Sequence, residues 1–381
     1  MAVDEELIRD LDPEDEALEE EPARDRQFPC AQCGAKLTFA PGTDSLVCPY
    51  CEHAVTIPRS EEDIEELDFR AHLELLAASA ETEEHAVVKC DACGAETDRP
   101  ADVDSFRCLY CDHPIVATAT SRKLIKPRAL LPFKVTRAEA REAFRSWLKK
   151  LWLVPGGLKD QARVDSRLSG VYLPYWTYDA YTTTFYRGMR GDHYYVTQTY
   201  TDSKGRMRTR QVQKTRWRPV SGTVARPFDD VLVLASDSLP RKHVEALEPW
   251  DLESLSPYED EFLSGFVAES YRVDLAEGFG AAQGLMWGVI QGDVRADIGG
   301  DVQRITSHKT QYDGVSFKHI LLPVWVSAFR FKNKVYRFIV NARTGEVKGE
   351  RPWSAWKIAG LVVLGLAVVG AIALIVAMNK S

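Results

Sequence analysis

Cys30-Ala-Gln-Cys33-Gly34 and Cys48-Pro-Tyr-Cys51-Glu52 are separated by 14 residues. Cys90-Asp-Ala-Cys93-Gly94 and Cys108-Leu-Tyr-Cys111-Asp112 repeat the arrangement 60 positions later. These four CxxC pairs take up all 8 cysteines of the chain. Aligned without gaps, residues 30–56 and 90–116 agree at ten of 27 positions, among them Gly34/Gly94, Asp44/Asp104, Tyr50/Tyr110 and His53/His113. An internal repeat of this kind predicts two copies of one small unit. Each CxxC is a tight turn that aims two sulfurs at one point, and two such turns complete a tetrahedral thiolate site. Cys30, Cys33, Cys48 and Cys51 are expected to hold one zinc ion, and Cys90, Cys93, Cys108 and Cys111 a second. Gly34 and Gly94 stand where the turn calls for positive φ. Four thiolates close each site, so the metal is expected to be structural and His53 and His113 to be spare. A segment of about 30 residues cannot build its own core, which makes metal binding the driver of its folding. Disulfides are set aside by the cytoplasmic placement argued below, and redox chemistry by the lack of a thioredoxin-like βαβ pattern.

Outward from the ribbons the chain is uneven. It has 381 residues with 48 Lys+Arg and 56 Asp+Glu, a net charge of -8. Residues 1–26 carry twelve acids and three arginines, a local net of -9, which leaves +1 for the other 355. A globally basic nucleic-acid binder is excluded, and only a local patch could serve that purpose. The acidic segment opens with no basic n-region and no apolar run, so it reads as a solvated tail rather than a secretory signal. Residues 27–56 hold one Lys and two acids, and residues 87–118 three basic residues and six acids. Neither ribbon has the cationic face that phosphate neutralisation needs, and protein–protein contact is the better expectation for both.

At the other end, Ile358 to Met378 is an uncharged apolar run. Its 21 residues would span roughly 31 Å as a helix, the thickness of a bilayer core. Trp353 and Trp356 precede it at headgroup level. Arg343, Lys348, Arg351 and Lys357 lie before the run and Lys380 after it, which places the bulk of the chain in the cytoplasm. A single-pass, tail-anchored membrane protein is expected, with residues 351–357 as the juxtamembrane segment.

Between the ribbons, residues 58–86 read as a linker with a helix over 60–80. Ser60 and Asp63 form its capping box, and Ile64, Leu67, Ala71 and Leu75 its apolar stripe. Residues 119–350 mix strand and helix signals in irregular order, which predicts an α+β fold with a mixed antiparallel sheet. Leu173-Pro-Tyr-Trp and Leu322-Pro-Val-Trp read as equivalent strands in two halves of this domain. Tyr194–Tyr200 with Arg206–Lys214, and Val335–Val340 with Glu346–Gly349, read as hairpins. Thr136 and Glu139 cap a helix whose buried side is Ala140, Phe144, Trp147 and Leu151, with Arg137, Arg141, Arg145 and Lys149 on another side. A second helix over 274–296 carries Gly280, Gly284, Gly288 and Gly292 at i+4, and four glycines on one stripe predict close packing by another element of the domain.

The strongest basic cluster is Lys204, Arg206, Arg208, Arg210, Lys214, Arg216 and Arg218, with no acid among them. All sit at even positions, on one face of an extended strand. An edge strand guarded by charge, contact with anionic lipid headgroups, and nucleic-acid binding are the three readings. Catalytic signatures are missing: no GxxxxGK[ST], HExxH, GxSxG or GxGxxG occurs, so a non-enzyme without ATPase activity is expected.

Several strings carry a resemblance. They include Val88-Lys-Cys-Asp-Ala-Cys-Gly, Gly170-Val-Tyr-Leu-Pro-Tyr-Trp-Thr-Tyr-Asp-Ala, Phe228-Asp-Asp-Val-Leu-Val, Glu248-Pro-Trp-Asp-Leu, Leu322-Pro-Val-Trp and Asn341-Ala-Arg-Thr-Gly-Glu-Val. Together they resemble a bacterial family of zinc-ribbon membrane proteins, often named primosomal protein N′ (replication factor Y) or superfamily II helicase-like. The resemblance covers nearly everything after residue 28 and implies zinc at all eight cysteines. A similar protein of Gram-positive bacteria is linked to a flotillin-like protein and a phage-shock-type membrane coat protein, which implies an adaptor at the membrane. The name implies a second role, a membrane-tethered nucleic-acid-binding protein without helicase activity. The glycine stripe over 280–292 departs from the charged helix formers of the family.

Overall fold

The structure is a computed structural model, and it describes residues 28–58, 64–77, 83–90, 96–98, 105–108, 110, 114–116, 120–151, 153–155, 168–201, 203, 205–331, 334–351 and 353–378. The acidic segment 1–26, the Ser60–Asp63 capping box, Cys93, Cys111 and Lys204 lie outside the described residues.

In chain order, β1 (Thr38–Phe39), β2 (Ser45–Val47) and β3 (Ala54–Thr56) make a small antiparallel sheet around the first cysteine group. β4 (Leu67–Asp68) and α1 (Phe69–Ala77) follow. The linker helix is therefore shorter than the 60–80 expected from its pattern. The Asp68 carboxylate accepts from the Ala71 N–H at 2.7 Å and caps α1 there, while Leu67 and Asp68 pair with Phe317 and Ser316 as a strand. A sheet partner distant in sequence thus claims residues that the helical stripe had included.

The second cysteine repeat contributes β5 (Glu83–Lys89), β6 (Glu96–Asp98), β7 (Ser105–Arg107), β8 (Pro114–Val116) and β9 (Thr120–Leu124). Next come β10 (Ala129–Leu130) and α2 (Arg137–Lys150), whose capping box forms as the sequence predicts. The Thr136 Oγ accepts from Glu139 N at 3.3 Å and the Glu139 carboxylate accepts from Thr136 N at 2.7 Å.

The body is built on three very long strands. β11 (Ser169–Thr201) has 33 residues and β12 (Met207–Leu234) has 28. After α3 (Arg241–Glu245), β13 (Ser256–Pro257), β14 (Val267–Ala268) and α4 (Leu275–Ile298) comes β15 (Val302–Phe331), with 30. At ~3.3 Å per residue β11 is about 110 Å long. β16 (Lys334–Asn341), β17 (Val347–Gly349) and the C-terminal helix α5 (Ala355–Met378) complete the chain. Nine strands join in one sheet with the central order β12-β11-β15-β10-β13. Antiparallel pairing dominates, with β10–β15 and β11–β14 parallel, so the fold is α+β.

The two Leu-Pro strings meet across this sheet. Leu173 lies opposite Leu322, and each proline sits where its strand gains a further neighbour. Pro174 O accepts from Ala235 N at 3.0 Å, and Pro323 O accepts from Ala342 N at 3.1 Å, so the two hairpins begin in the same way. Near Asp179 both neighbours of β11 gain an extra residue. Asp230 (φ 50) and Gly314 (φ 58) take left-handed backbone in those irregularities.

Strand alternation sorts the attachments onto two sides. Tyr172 on β11 belongs to a core cluster shared with Phe39, Leu46, Phe144 and Phe338, which puts the first ribbon and α2 on that side. Trp176, Tyr178 and Tyr186, at even spacing from Tyr172, pack under α4. Val171, Leu173 and Tyr175 point the other way and share a cluster with Val88, Cys90, Cys108 and Tyr110, so these residues of the second cysteine repeat pack on the opposite side.

α4 rests on the sheet through Leu275, Gly278, Ala282, Met286, Ile290, Val294 and Ile298. Gly280, Gly284, Gly288 and Gly292 fall two positions, about 200°, from that stripe and face outward. A Cβ at any of the four would meet nothing within 4 Å. The expectation that the stripe is closely packed by another element of the domain is thus overturned. The tight glycine is Gly278, where an added Cβ would strike the Tyr178 hydroxyl and the Trp176 ring.

α5 stands clear of the body: none of its apolar window Ala355–Ile372 is buried. It is the one candidate membrane span among the described residues. Trp356 at its start is 89% exposed.

Candidate metal centre and its attachments

The first ribbon is two matching turns. Cys30 N donates to Ala35 O at 2.7 Å and Gly34 N to Cys30 O at 2.8 Å; Cys48 N donates to His53 O at 2.9 Å and Glu52 N to Cys48 O at 3.1 Å. The residue after the second cysteine has left-handed backbone in both, φ 74 at Gly34 and φ 60 at Glu52. The glycine agrees with the sequence expectation. Glu52 adopts the same conformation with a side chain, which the CxxC pattern alone did not reveal. His53 contributes its carbonyl to the turn and is not one of the clustered ligand groups.

The turns bring Cys30, Cys33, Cys48 and Cys51 together, all four Sγ atoms lying within 4.8 Å of one another. Cys30–Cys51 and Cys33–Cys48 are each 3.5 Å apart, and no disulfide joins them. Four thiolates around zinc at ~2.3 Å stand about 3.8 Å apart, so this donor set fits a tetrahedral zinc ion. The backbone N–H of Cys51, helped by that of Tyr50 and by two neighbouring thiols, draws Cys48 down to about 6 against burial. Cys51 keeps the pull of the His53 N–H, yet burial and the three other thiols raise it to about 12. Sulfurs this close resist carrying four negative charges until a cation joins them, and metal binding would release the remaining protons. Four protein sulfurs leave no open coordination position.

The ribbon is fused to the body. Phe39 N donates to Ser264 O at 2.9 Å, Ser264 Oγ to Leu37 O at 2.6 Å, and Gly42 N to Phe133 O at 2.9 Å. The Phe39 and Phe262 rings meet edge to face at 5.2 Å. Its outer turn stays open, with Tyr50 81% exposed.

In the second repeat Cys90 and Cys108 are buried, and their partners Cys93 and Cys111 lie outside the described residues. Tyr110, the repeat equivalent of Tyr50, is fully buried. Its hydroxyl donates to Glu269 Oε2 at 2.8 Å, and its carbonyl accepts from Arg337 Nε at 3.1 Å. The Ser236 hydroxyl donates to Glu269 Oε1 at 2.7 Å, and the Ser238 hydroxyl bonds the same oxygen. Burial raises Glu269 to about 7, although the three hydroxyls and Arg272 favour its charged form. Sequence reading missed this residue; its only signal is one acid in the apolar run Phe266-Val-Ala-Glu269.

A second acidic group gathers at the strand irregularities. Glu66, Asp179 and Asp229 bring carboxylate oxygens within 4.8 Å of one another. Glu66 of this group already pairs with a cation: Lys318 Nζ stands 3.1 Å from Glu66 Oε1 and 2.8 Å from Asp230 Oδ1. Burial raises Asp179 to about 7, with Glu66 adding to the rise against the Asp230 N–H.

The described members of the basic cluster are Arg206, Arg208, Arg210, Lys214, Arg216 and Arg218, and all are exposed. The first lies just before β12 and the others on it.

No family model matches this chain, and no solved structure matches it. It is similar to the uncharacterized protein YdjG of Bacillus subtilis (strain 168), 25% identical over 334 residues that cover 87% of this chain and 92% of that protein. The likeness runs through nearly the full length of both.

Proposed function

We propose that this chain is a membrane-anchored zinc-ribbon adaptor, a scaffold that presents its body and ribbons to protein partners on the cytoplasmic side of the inner membrane. One observation carries the reading: a four-cysteine ribbon with an exposed Tyr50 turn is built into a body whose chain ends in an unburied apolar helix. A closed thiolate site supplies rigidity rather than chemistry. Tyr50 and the half-exposed Val55 offer the aromatic and aliphatic anchors that protein interfaces favour. The second ribbon is read as a second structural zinc site, held by Cys90, Cys93, Cys108 and Cys111. The partners are taken to be flotillin-like or phage-shock-type membrane proteins, as the family resemblance implies. No catalytic step is assigned to any residue.

The test is purification of the tagged full-length protein from membranes in mild detergent, with identification of what accompanies it. A membrane-associated protein in stoichiometric yield, lost on Tyr50→Glu while the zinc content stays unchanged, is the expected result. Recovery of replication proteins or nucleic acid would instead support the role suggested by the family name.

A further inference from the structure

β15 accompanies β11 only as far as Gly191, opposite Val302. Beyond it, Asp192–Thr201 and Met207–Arg216 continue as a two-stranded ribbon of about 33 Å. Tyr194 lies opposite Lys214, Gln198 opposite Arg210 and Tyr200 opposite Arg208, all on one face. Arg216 lies over the Tyr194 ring at 5.3 Å and Arg210 over Tyr200 at 5.4 Å. Asp192 is the one acid on this face among the described residues of the ribbon, and Arg218 and Arg190 bind it at 2.6 and 3.0 Å. The reverse face, from His193 and Tyr195 to Gln213 and Thr215, carries Thr, Gln, Tyr, His193 and Met207 with no acid, Lys or Arg. A strand guarded only against edge pairing has no need to gather its cations on one face.

That face continues, by strand alternation, into the side covered by α4: Tyr186 donates to Asp297 and Arg226 pairs with Asp293 at 2.5 Å. The outer surface of α4 is unusual for a helix in water. From Gly278 to Gly292 it has no charged residue, and it exposes Leu285 (54%) and Val289 (47%) beside the four outward glycines. α2 lies on the same side, with Arg137, Arg141 and Arg145 exposed. Near it Ser354 N donates to Leu153 O at 2.8 Å and Lys357 Nζ to Val154 O at 2.8 Å, which ties the start of α5 to this end of the sheet.

We propose that the part of this side covered by α4, with the two-stranded arm beyond it, lies along an anionic bilayer. Lys214 and the arginines of the ribbon would meet lipid phosphates, with Tyr194 and Tyr200 at headgroup depth. Leu285 and Val289 would enter the acyl boundary, where the bare glycine backbone allows close approach. The inference rests on the membrane-anchored reading and adds a second attachment at the far end of a sheet about 110 Å long. The occupant is the lipid surface; nucleic acid is an outcome of the test.

The full-length protein is placed in nanodiscs of phosphatidylcholine alone or with about 30% phosphatidylglycerol, and tryptic cleavage after Arg208 is timed. The expected result is cleavage about tenfold slower on the anionic discs, with protection lost at ~0.5 M salt. Lys214→Glu with Arg216→Glu should abolish the protection, while untouched cleavage elsewhere in the chain reports an intact fold. Equal rates on the two discs at low salt would overturn the inference. So would protection by a single-stranded oligonucleotide on neutral discs with none from anionic lipid. Extraction of the protein from native membranes by alkaline carbonate would defeat the anchored reading itself, separately from the arm.

Discussion

The Tyr110 hydroxyl donates 2.8 Å to Glu269 across 159 positions of sequence, which ties the second cysteine repeat to a buried carboxylate of the body. Tyr110→Phe would remove one of three hydroxyl donors from a fully buried acid. A cost of about 1–3 kcal/mol is expected, read from thermal or denaturant unfolding.

The same carboxylate sets a pH dependence. Burial raises Glu269 from 4.5 to about 7 in the folded chain, so folding favours its neutral form. Its contribution to stability is complete below pH ~4.5 and is lost as pH rises through about 7. Glu269→Gln should remove that dependence, gaining on the order of 2–3 kcal/mol on wild type between pH 5 and pH 8. Equal pH profiles for the two proteins would contradict the assignment.

Glu52 holds left-handed backbone at φ 60, in the position that Gly34 fills at φ 74 in the sister turn. Glu52→Gly should stabilise the first ribbon by about 1 kcal/mol, seen as slower loss of zinc to a chelator. Gly34→Ala should act in the opposite direction.

Along α4 the glycines divide in two. Gly284→Ala and Gly288→Ala place a methyl in open space and should each raise stability by about 0.5–1 kcal/mol. Gly278→Ala drives a methyl into Tyr178 and Trp176 and should destabilise by about 1–3 kcal/mol. Unfolding midpoints of the three variants decide between this and a packed glycine stripe.

Lys318 is buried between Glu66 and Asp230. Lys318→Met would leave Glu66 and Asp230 without their cation and, with Glu66 41% exposed, should cost about 1–3 kcal/mol in denaturant unfolding.

What could be read in advance was local chemistry. The CxxC turns, the Thr136–Glu139 box, the α+β class and the apolar C-terminal run depend on residues close in sequence, and the structure holds each in its described part. Features decided across the sheet could not be read. The outward turn of Gly280 to Gly292 depends on which α4 stripe the strands accept. α1 begins at Phe69 because Leu67 and Asp68 pair with β15, some 250 residues away. The hairpin tip was legible at Tyr194–Tyr200, yet its continuation back to Ser169 was not, because the proline and the aromatic run mask one uninterrupted strand. Glu269 is a site residue only because Tyr110, Ser236 and Ser238 converge on it.

The most direct test of the account is the metal content of the full-length protein extracted from membranes, measured by inductively coupled plasma mass spectrometry against protein concentration. About two zinc ions per chain are predicted, falling to about one on Cys30→Ser with Cys48→Ser. A metal-free chain whose cysteines are joined as disulfides would contradict the zinc-ribbon scaffold at its base.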